Sequence, residues 1–162
     1  GGEINIGGDL DCLAEQTRFK LSGNARVLLS THFGYNDNLS DVGPDIDISD
    51  NAQLIIQNSP LAATEVKLAD QGILKLKEDS YLGNIWQTGG EIISCGNIEL
   101  YNEQALHTTG GKITTPGAIF YTDVYNNFLR SHMWDGPNKS CGYDELYNNY
   151  VFPCTNTSWC NQ

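Results

Sequence analysis

Positive charge is scarce in this chain. Its 162 residues hold 9 Lys and Arg against 20 Asp and Glu, a formal net charge of −11. No Lys/Arg cluster occurs, which argues against nucleic acid and anionic membrane surfaces, since both are bound through concentrated basic charge. Long apolar runs are missing too. None approaches the roughly 18 residues that span a bilayer, so no membrane insertion is expected. Helical periodicity is equally absent; Leu61 to Leu68 is the nearest approach, and it is short and uncapped. No Cys-x-x-Cys pair or Cys/His cluster has zinc spacing. DNA binders, membrane proteins and helical bundles drop out together.

Five cysteines are present, and three of them (Cys141, Cys154 and Cys160) crowd into the last 22 residues. Without metal spacing, such a cluster fits disulfides and an oxidising extracellular or periplasmic compartment. The tail is expected to hold at least one bridge, with Cys141–Cys154 the first choice. Cys160 is then left for Cys95, Cys12 or another chain.

What the chain does have is an internal repeat. Phe19 to Leu29 (FKLSGNARVLL) aligns with Ile46 to Ile56 (IDISDNAQLII), 27 positions on, and again with Val66 to Leu76 (VKLADQGILKL), 20 further. A form with a shorter corner runs from Gly89 to Leu100 (GGEIISCGNIEL), recurs 21 residues later from Gly110 to Tyr121, and matches Gly2 to Leu10. Each unit reads as two short strands of alternating apolar and polar residues. The strands meet at a corner of Gly, Asn or Asp, the residues that tolerate left-handed backbone.

About six such coils predict an all-β fold, a parallel β-solenoid in which each coil buries its apolar row on the next. An antiparallel sandwich of irregular hairpins is the competing architecture. The repeats occupy residues 1–121. Residues 122–162 break the pattern with aromatic and polar residues and form the expected disulfide-tied C-terminal cap or tip.

The rhythm over residues 2–121 resembles the parallel β-helix proteins of bacterial surfaces: fimbrial and pilus-tip adhesins, autotransporter passengers and phage tailspikes. That resemblance implies a non-enzymatic extracellular subunit of a surface fibre, pilus or filament. The same superfold hosts polysaccharide lyases and hydrolases, which keeps a polysaccharide-degrading enzyme or tailspike fragment as the alternative. Such an enzyme would crowd like-charged carboxylates in a groove. The outward candidates instead alternate in sign along the stack, Asp47 with Lys67 and Glu91 with Lys112, as expected of a solvated ion-pair ladder.

Glycan or receptor contact is assigned to aromatic and amide side chains, which stack on sugar rings and bond to hydroxyls. The candidates are Trp86, Trp134 and Trp159 with two echoing segments, Tyr125-Asn126-Asn127 and Tyr147-Asn148-Asn149. Filling a small cap core is the competing role for these rings.

The acidic insertion at residues 36–45 makes Asp37, Asp41 and Asp45 a candidate Ca²⁺ set, although the spacing is not that of an EF-hand. His32, His107 and His132 lack any shared metal spacing. No other cofactor is expected. Finally, the repeat starts at Gly2, so the apolar face of Ile4, Ile6 and Leu10 is expected to be covered by a neighbouring chain, in self-association or by another fibre subunit.

Overall fold

A computed structural model describes residues 2–6, 18–30, 43–102, 104–115, 119–123, 129–134 and 158–161. Two sheets run the length of the stack. The first has six parallel strands in the order β1 (Glu3–Ile6), β3 (Arg26–Leu29), β5 (Gln53–Ile56), β7 (Ile73–Leu76), β9 (Glu91–Ser94) and β12 (Lys112–Thr114). The second contains β2 (Arg18–Leu21), β4 (Asp45–Ile48), β6 (Ala62–Leu68), β8 (Ser80–Gln87), β10 (Ile98–Leu100) and β13 (Ile119–Asp123), likewise parallel, with β11 (Leu106–Thr108) also paired to β8. A final strand, β14 (Leu129–Trp134), folds back antiparallel on β13. Chain order alternates between the sheets, and the protein is a parallel β-solenoid.

Period-two alternation produces the core. In the first sheet one inward column climbs through Val27, Leu54, Leu74, Ile92 and Ile113, in register and at most 2% exposed. In the second, Ile46, Val66, Ile85 and Leu106 stack in the same way. Burying each such side chain contributes about 1.5–3 kcal/mol, so the stack is held mainly by contacts between neighbouring coils.

The corners repeat as well. Residues 22–25, 49–52 and 69–72 turn from the second sheet to the first, and Gly23, Asp50 and Asp70 take the left-handed backbone there, with φ of 68°, 56° and 57°. Asp tolerates that region because its short carboxylate bonds locally. Here each carboxylate reaches one coil down: Asp50 Oδ2 accepts from the Gly23 amide at 2.7 Å, and Asp70 Oδ2 from the Asp50 amide at 3.2 Å.

Three expectations need adjusting. Each repeat contributes one strand to the six-stranded sheet, but the turns of the stack number about four rather than six. Secondly, the two repeat forms cross opposite corners. The longer form passes from the second sheet to the first (β2–β3, β4–β5, β6–β7), whereas the shorter passes from the first to the second (β9–β10, β12–β13). Two alternating strands around a Gly/Asn corner look the same from either direction. Thirdly, β8 and β11 belong to no recognised repeat. Strand β8 bends at Gly83, where any Cβ would fall 2.3 Å from the Thr64 carbonyl oxygen, and so pairs with β10 through its first half and β11 through its second.

Candidate functional site

The outer surface of the second sheet carries two rows. Arg18, Asp45, Glu65 and Asn84 form one, and Lys20, Asp47, Lys67, Trp86 and His107 the other. Asp47 does lie beside Lys67 in register, but the ion pairs choose other partners. Arg18 reaches Asp45 at 3.5 Å and Asp47 at 3.7 Å, and Lys67 turns to Glu65 on its own strand. On the first sheet Lys112 meets Glu91 at 2.9 Å, as the ladder reading expects, and the Thr114 hydroxyl donates to the same carboxylate oxygen at 3.0 Å. These part-exposed pairs are worth roughly 0.2–1 kcal/mol each.

Further up the second row the charges give way to aromatics. The Trp86 and His107 rings stack at 3.8 Å between centroids and 11° between planes, yet Trp86 remains 44% exposed. One face of the indole is therefore taken by His107 on the coil above, and the other looks down towards the Lys67 coil. The spacing of 21 residues from Trp86 to His107 equals that from Ile92 to Ile113, so the repeat itself signals this pair.

Around the corner from Trp86 lies a cleft of about 530 Å³. Its origin is a change in corner length. Residues 69–72 make a four-residue corner, but 88–90 and 109–111 above it have only three. The shorter corners sit back from the surface and leave a step. Asp70 and Gln71 form its lower lip, Gly89 and Gly90 its wall, and Glu91 with Lys112 its far side. The recession is enforced by packing: a Cβ on Gly90 would lie 2.2 Å from the Gly72 carbonyl oxygen, and one on Gly111 2.4 Å from that of Gly89. Beneath the wall, buried Gln87 donates through Nε2 to the Gly90 and Lys112 carbonyls at 3.3 and 3.0 Å.

The C-terminal anchor is Cys95–Cys160, one of the pairings left open for Cys160. It fastens a turn of 3₁₀ helix, Ser158–Asn161, to the flank of the first sheet. Half-buried Trp159 does not offer an open ring there. The ammonium groups of Lys75 and Lys77 stand 5.6 and 5.3 Å from its centroid, and Lys77 also donates to the Trp159 and Cys160 carbonyls. Lys75 shares its outward row with Ile55, which is only 3% exposed, so this flank is not a bare solvated face.

Of the remaining candidates, Trp134 ends β14, opposite Ile119. Tyr125, Asn126, Asn127, Tyr147, Asn148 and Asn149 lie outside the described residues, as do Cys12, Cys141, Cys154, Asp37 and Asp41. Asp45 opens β4 and is held by Arg18. Among the described residues no three His, Cys, Asp or Glu side chains are grouped to hold a metal ion, and no helix is long and apolar enough to cross a membrane. Ile4 pairs in register with Val27 and so belongs to the inward column, but it is 57% exposed. Leu10 is outside the described residues.

Compared with known proteins, the chain matches no family model, no curated protein and no solved structure. The class that the geometry defines is a parallel β-solenoid with a disulfide-fastened C-terminal turn.

Proposed function

We propose that the protein is a non-enzymatic extracellular subunit of a surface fibre, pilus or filament, in which the solenoid serves as a rigid spacer and the C-terminal segment as the glycan- or receptor-contacting surface. The observation that supports this most is Ile4. It continues the column of Val27, Leu54 and Leu74 on the terminal strand of the sheet, yet stands 57% exposed. A large apolar side chain left exposed in an otherwise buried column favours contact with a neighbouring subunit. Contact of that strand with a different surface of the next copy is head-to-tail, a geometry that propagates into filaments, while a net charge of −11 opposes lateral clumping. The outward carboxylates support a structural over a catalytic role. Glu91 is engaged by Lys112 and Thr114, and Asp70 by the Asp50 amide, so both carboxylates that border the cleft are already held by partners within the chain.

Analytical ultracentrifugation tests the reading. The wild-type chain should assemble with rising concentration, and the double substitution Ile4→Lys with Ile6→Lys should stop assembly while the β-sheet circular dichroism persists. A wild-type chain that stays monomeric at high concentration overturns it. So does the release of new reducing ends or unsaturated products from capsular or pectic glycans, which would establish the degrading enzyme instead.

A further inference from the structure

We propose that the corner joining β8 to β9 is a binding site for a neutral hexose oligosaccharide, with Trp86 as its stacking platform and the adjoining cleft as its polar subsite. The inference rests on the adhesive reading above and moves the contact surface from the C-terminal segment to the solenoid wall. Three independent features converge at this corner.

The first is the indole. Positions equivalent to Trp86 lower in the row hold Lys20, Asp47 and Lys67, the ordinary content of a solvated face. A large ring at 44% exposure in that row has no packing role that a lysine would not fill. His107 fixes its plane from above at 3.8 Å. The ammonium of Lys67, the next residue down the row, pairs with Glu65 rather than with the indole, and the exposed part of the ring is what the apolar side of a pyranose would meet.

The second is the cleft. Gly89 follows Trp86 by three residues, so their backbones lie within about 10 Å of each other, and an oligosaccharide stacked on the indole reaches the cleft by crossing the corner at residues 88–90. Its volume of about 530 Å³ is in the range of small-ligand sites. The Gln71 amide offers both donor and acceptor, Glu91 accepts and Lys112 donates, the mixture that vicinal hydroxyls require.

Charge is the third. Of the charges at this corner Glu91 is paired with Lys112 and Glu65 with Lys67, which leaves Asp70 as the unbalanced one, and together with the chain's net charge of −11 it disfavours a polyanionic glycan relative to an uncharged one. That selects neutral hexoses.

Isothermal titration with cellohexaose, maltohexaose and mannohexaose as neutral probes, and hexagalacturonate as the acidic comparator, tests the site. At least one neutral hexamer should bind, and hexagalacturonate should bind at least tenfold more weakly. Trp86→Ala should weaken the neutral ligand at least tenfold and Gln71→Ala several-fold, whereas Trp159→Ala, at the Lys75 and Lys77 end of β7 and outside the cleft lining, should leave it unchanged. Circular dichroism and sedimentation of Trp86→Ala, expected to match wild type, separate loss of the site from loss of the fold or of assembly. The proposal is overturned if none of the three neutral hexamers binds, if Trp86→Ala binds as wild type does, or if the acidic hexamer binds equally well. Each of these outcomes with Ile4-dependent assembly intact removes the glycan site alone, while absence of assembly removes the fibre reading.

Discussion

Replacing Cys160 with Ser should release the C-terminal turn without opening the solenoid, and the balance can be worked from the contacts. Two hydrogen bonds from Lys77, at 3.1 and 3.4 Å to the Cys160 and Trp159 carbonyls, are worth about 1 kcal/mol each. Two cation–π contacts at 5.3 and 5.6 Å add about 0.5–1 kcal/mol each. Fixing the four residues of the turn costs about 1–2 kcal/mol per residue. Contacts of roughly 3–4 kcal/mol thus face an ordering cost of roughly 4–8, and without the sulfur link the turn comes off. The bridge spans 65 residues, and closing a loop of that length contributes about 4 kcal/mol in the chain-entropy account. Amide hydrogen exchange is the assay. In Cys160→Ser, protection at residues 158–161 should fall by a factor on the order of 10³, since each 1.4 kcal/mol is tenfold. Strands β5 and β7 should keep theirs, because their backbone partners are strands of neighbouring coils and, among the described residues, the tail meets β7 only at the Lys75 side chain. Retained protection at residues 158–161 would refute the balance, and lost protection in β5 and β7 would refute the independence of coil and tail.

Leu54→Ala removes a fully buried side chain from the middle of the inward column, between Val27 and Leu74, and should lower unfolding free energy by about 2–5 kcal/mol in urea titration. Gly23→Ala and Gly90→Ala separate backbone strain from steric overlap. Both glycines have φ near +70°, but an added Cβ at Gly23 meets nothing within 4 Å whereas one at Gly90 lies 2.2 Å from a carbonyl oxygen. The first should cost about 1–2 kcal/mol and the second clearly more by the same titration, and equal costs would contradict the packing account of the cleft wall. A double-mutant cycle on Glu91 and Lys112 should return a coupling of roughly 0.2–1 kcal/mol that shrinks at high salt.

The lower coils are readable from sequence because their spacing is their register. Offsets of 27 and 20 between repeats reappear as Phe19 beside Ile46 and Ile46 beside Val66. Ser80–Gln87 escapes notice for a physical reason. Leu82 and Gly83 are both buried where the strand bends, so strict alternation fails, and its last inward position is a glutamine. Missing β8 hid the Trp86–His107 stack, since the indole looks solitary until the strand beneath it is placed. Cys95 is among the partners open to Cys160 in the sequence, but the choice between it, Cys12 and another chain is not legible there. Cys95 follows the end of β9, and its proximity to Cys160 depends on which flank the tail returns to, a long-range contact that no local pattern encodes.

The placement of that bridge has a rationale in the way the core changes along the stack. One inward column begins Leu21, Ile48, Leu68 and then turns polar at Gln87 and Thr108; another runs Leu29, Ile56, Leu76 and turns polar at Ser94. Both changes fall on the β8–β9 coil, the same coil at which the corner shortens from four residues to three. From there upward apolar burial is thinner, and named hydrogen bonds supplement it: Gln87 to the Gly90 and Lys112 carbonyls, and both Ser94 and Thr115 to the Gly96 carbonyl at 3.0 and 2.9 Å. Net hydrogen bonds are worth about 1 kcal/mol, against about 1.5–3 for each buried aliphatic side chain that the columns have lost. The Gln87 Oε1 and Thr108 Oγ1 atoms, buried without partners within the chain, add a further cost to these coils. A covalent tie is most effective where non-covalent stacking weakens, and Cys95 anchors it one residue beyond Ser94, on the first coil where both columns have become polar. The loss of apolar packing, the shorter corner and the cleft around the corner from Trp86 therefore all fall on one coil, the coil that the covalent tie holds.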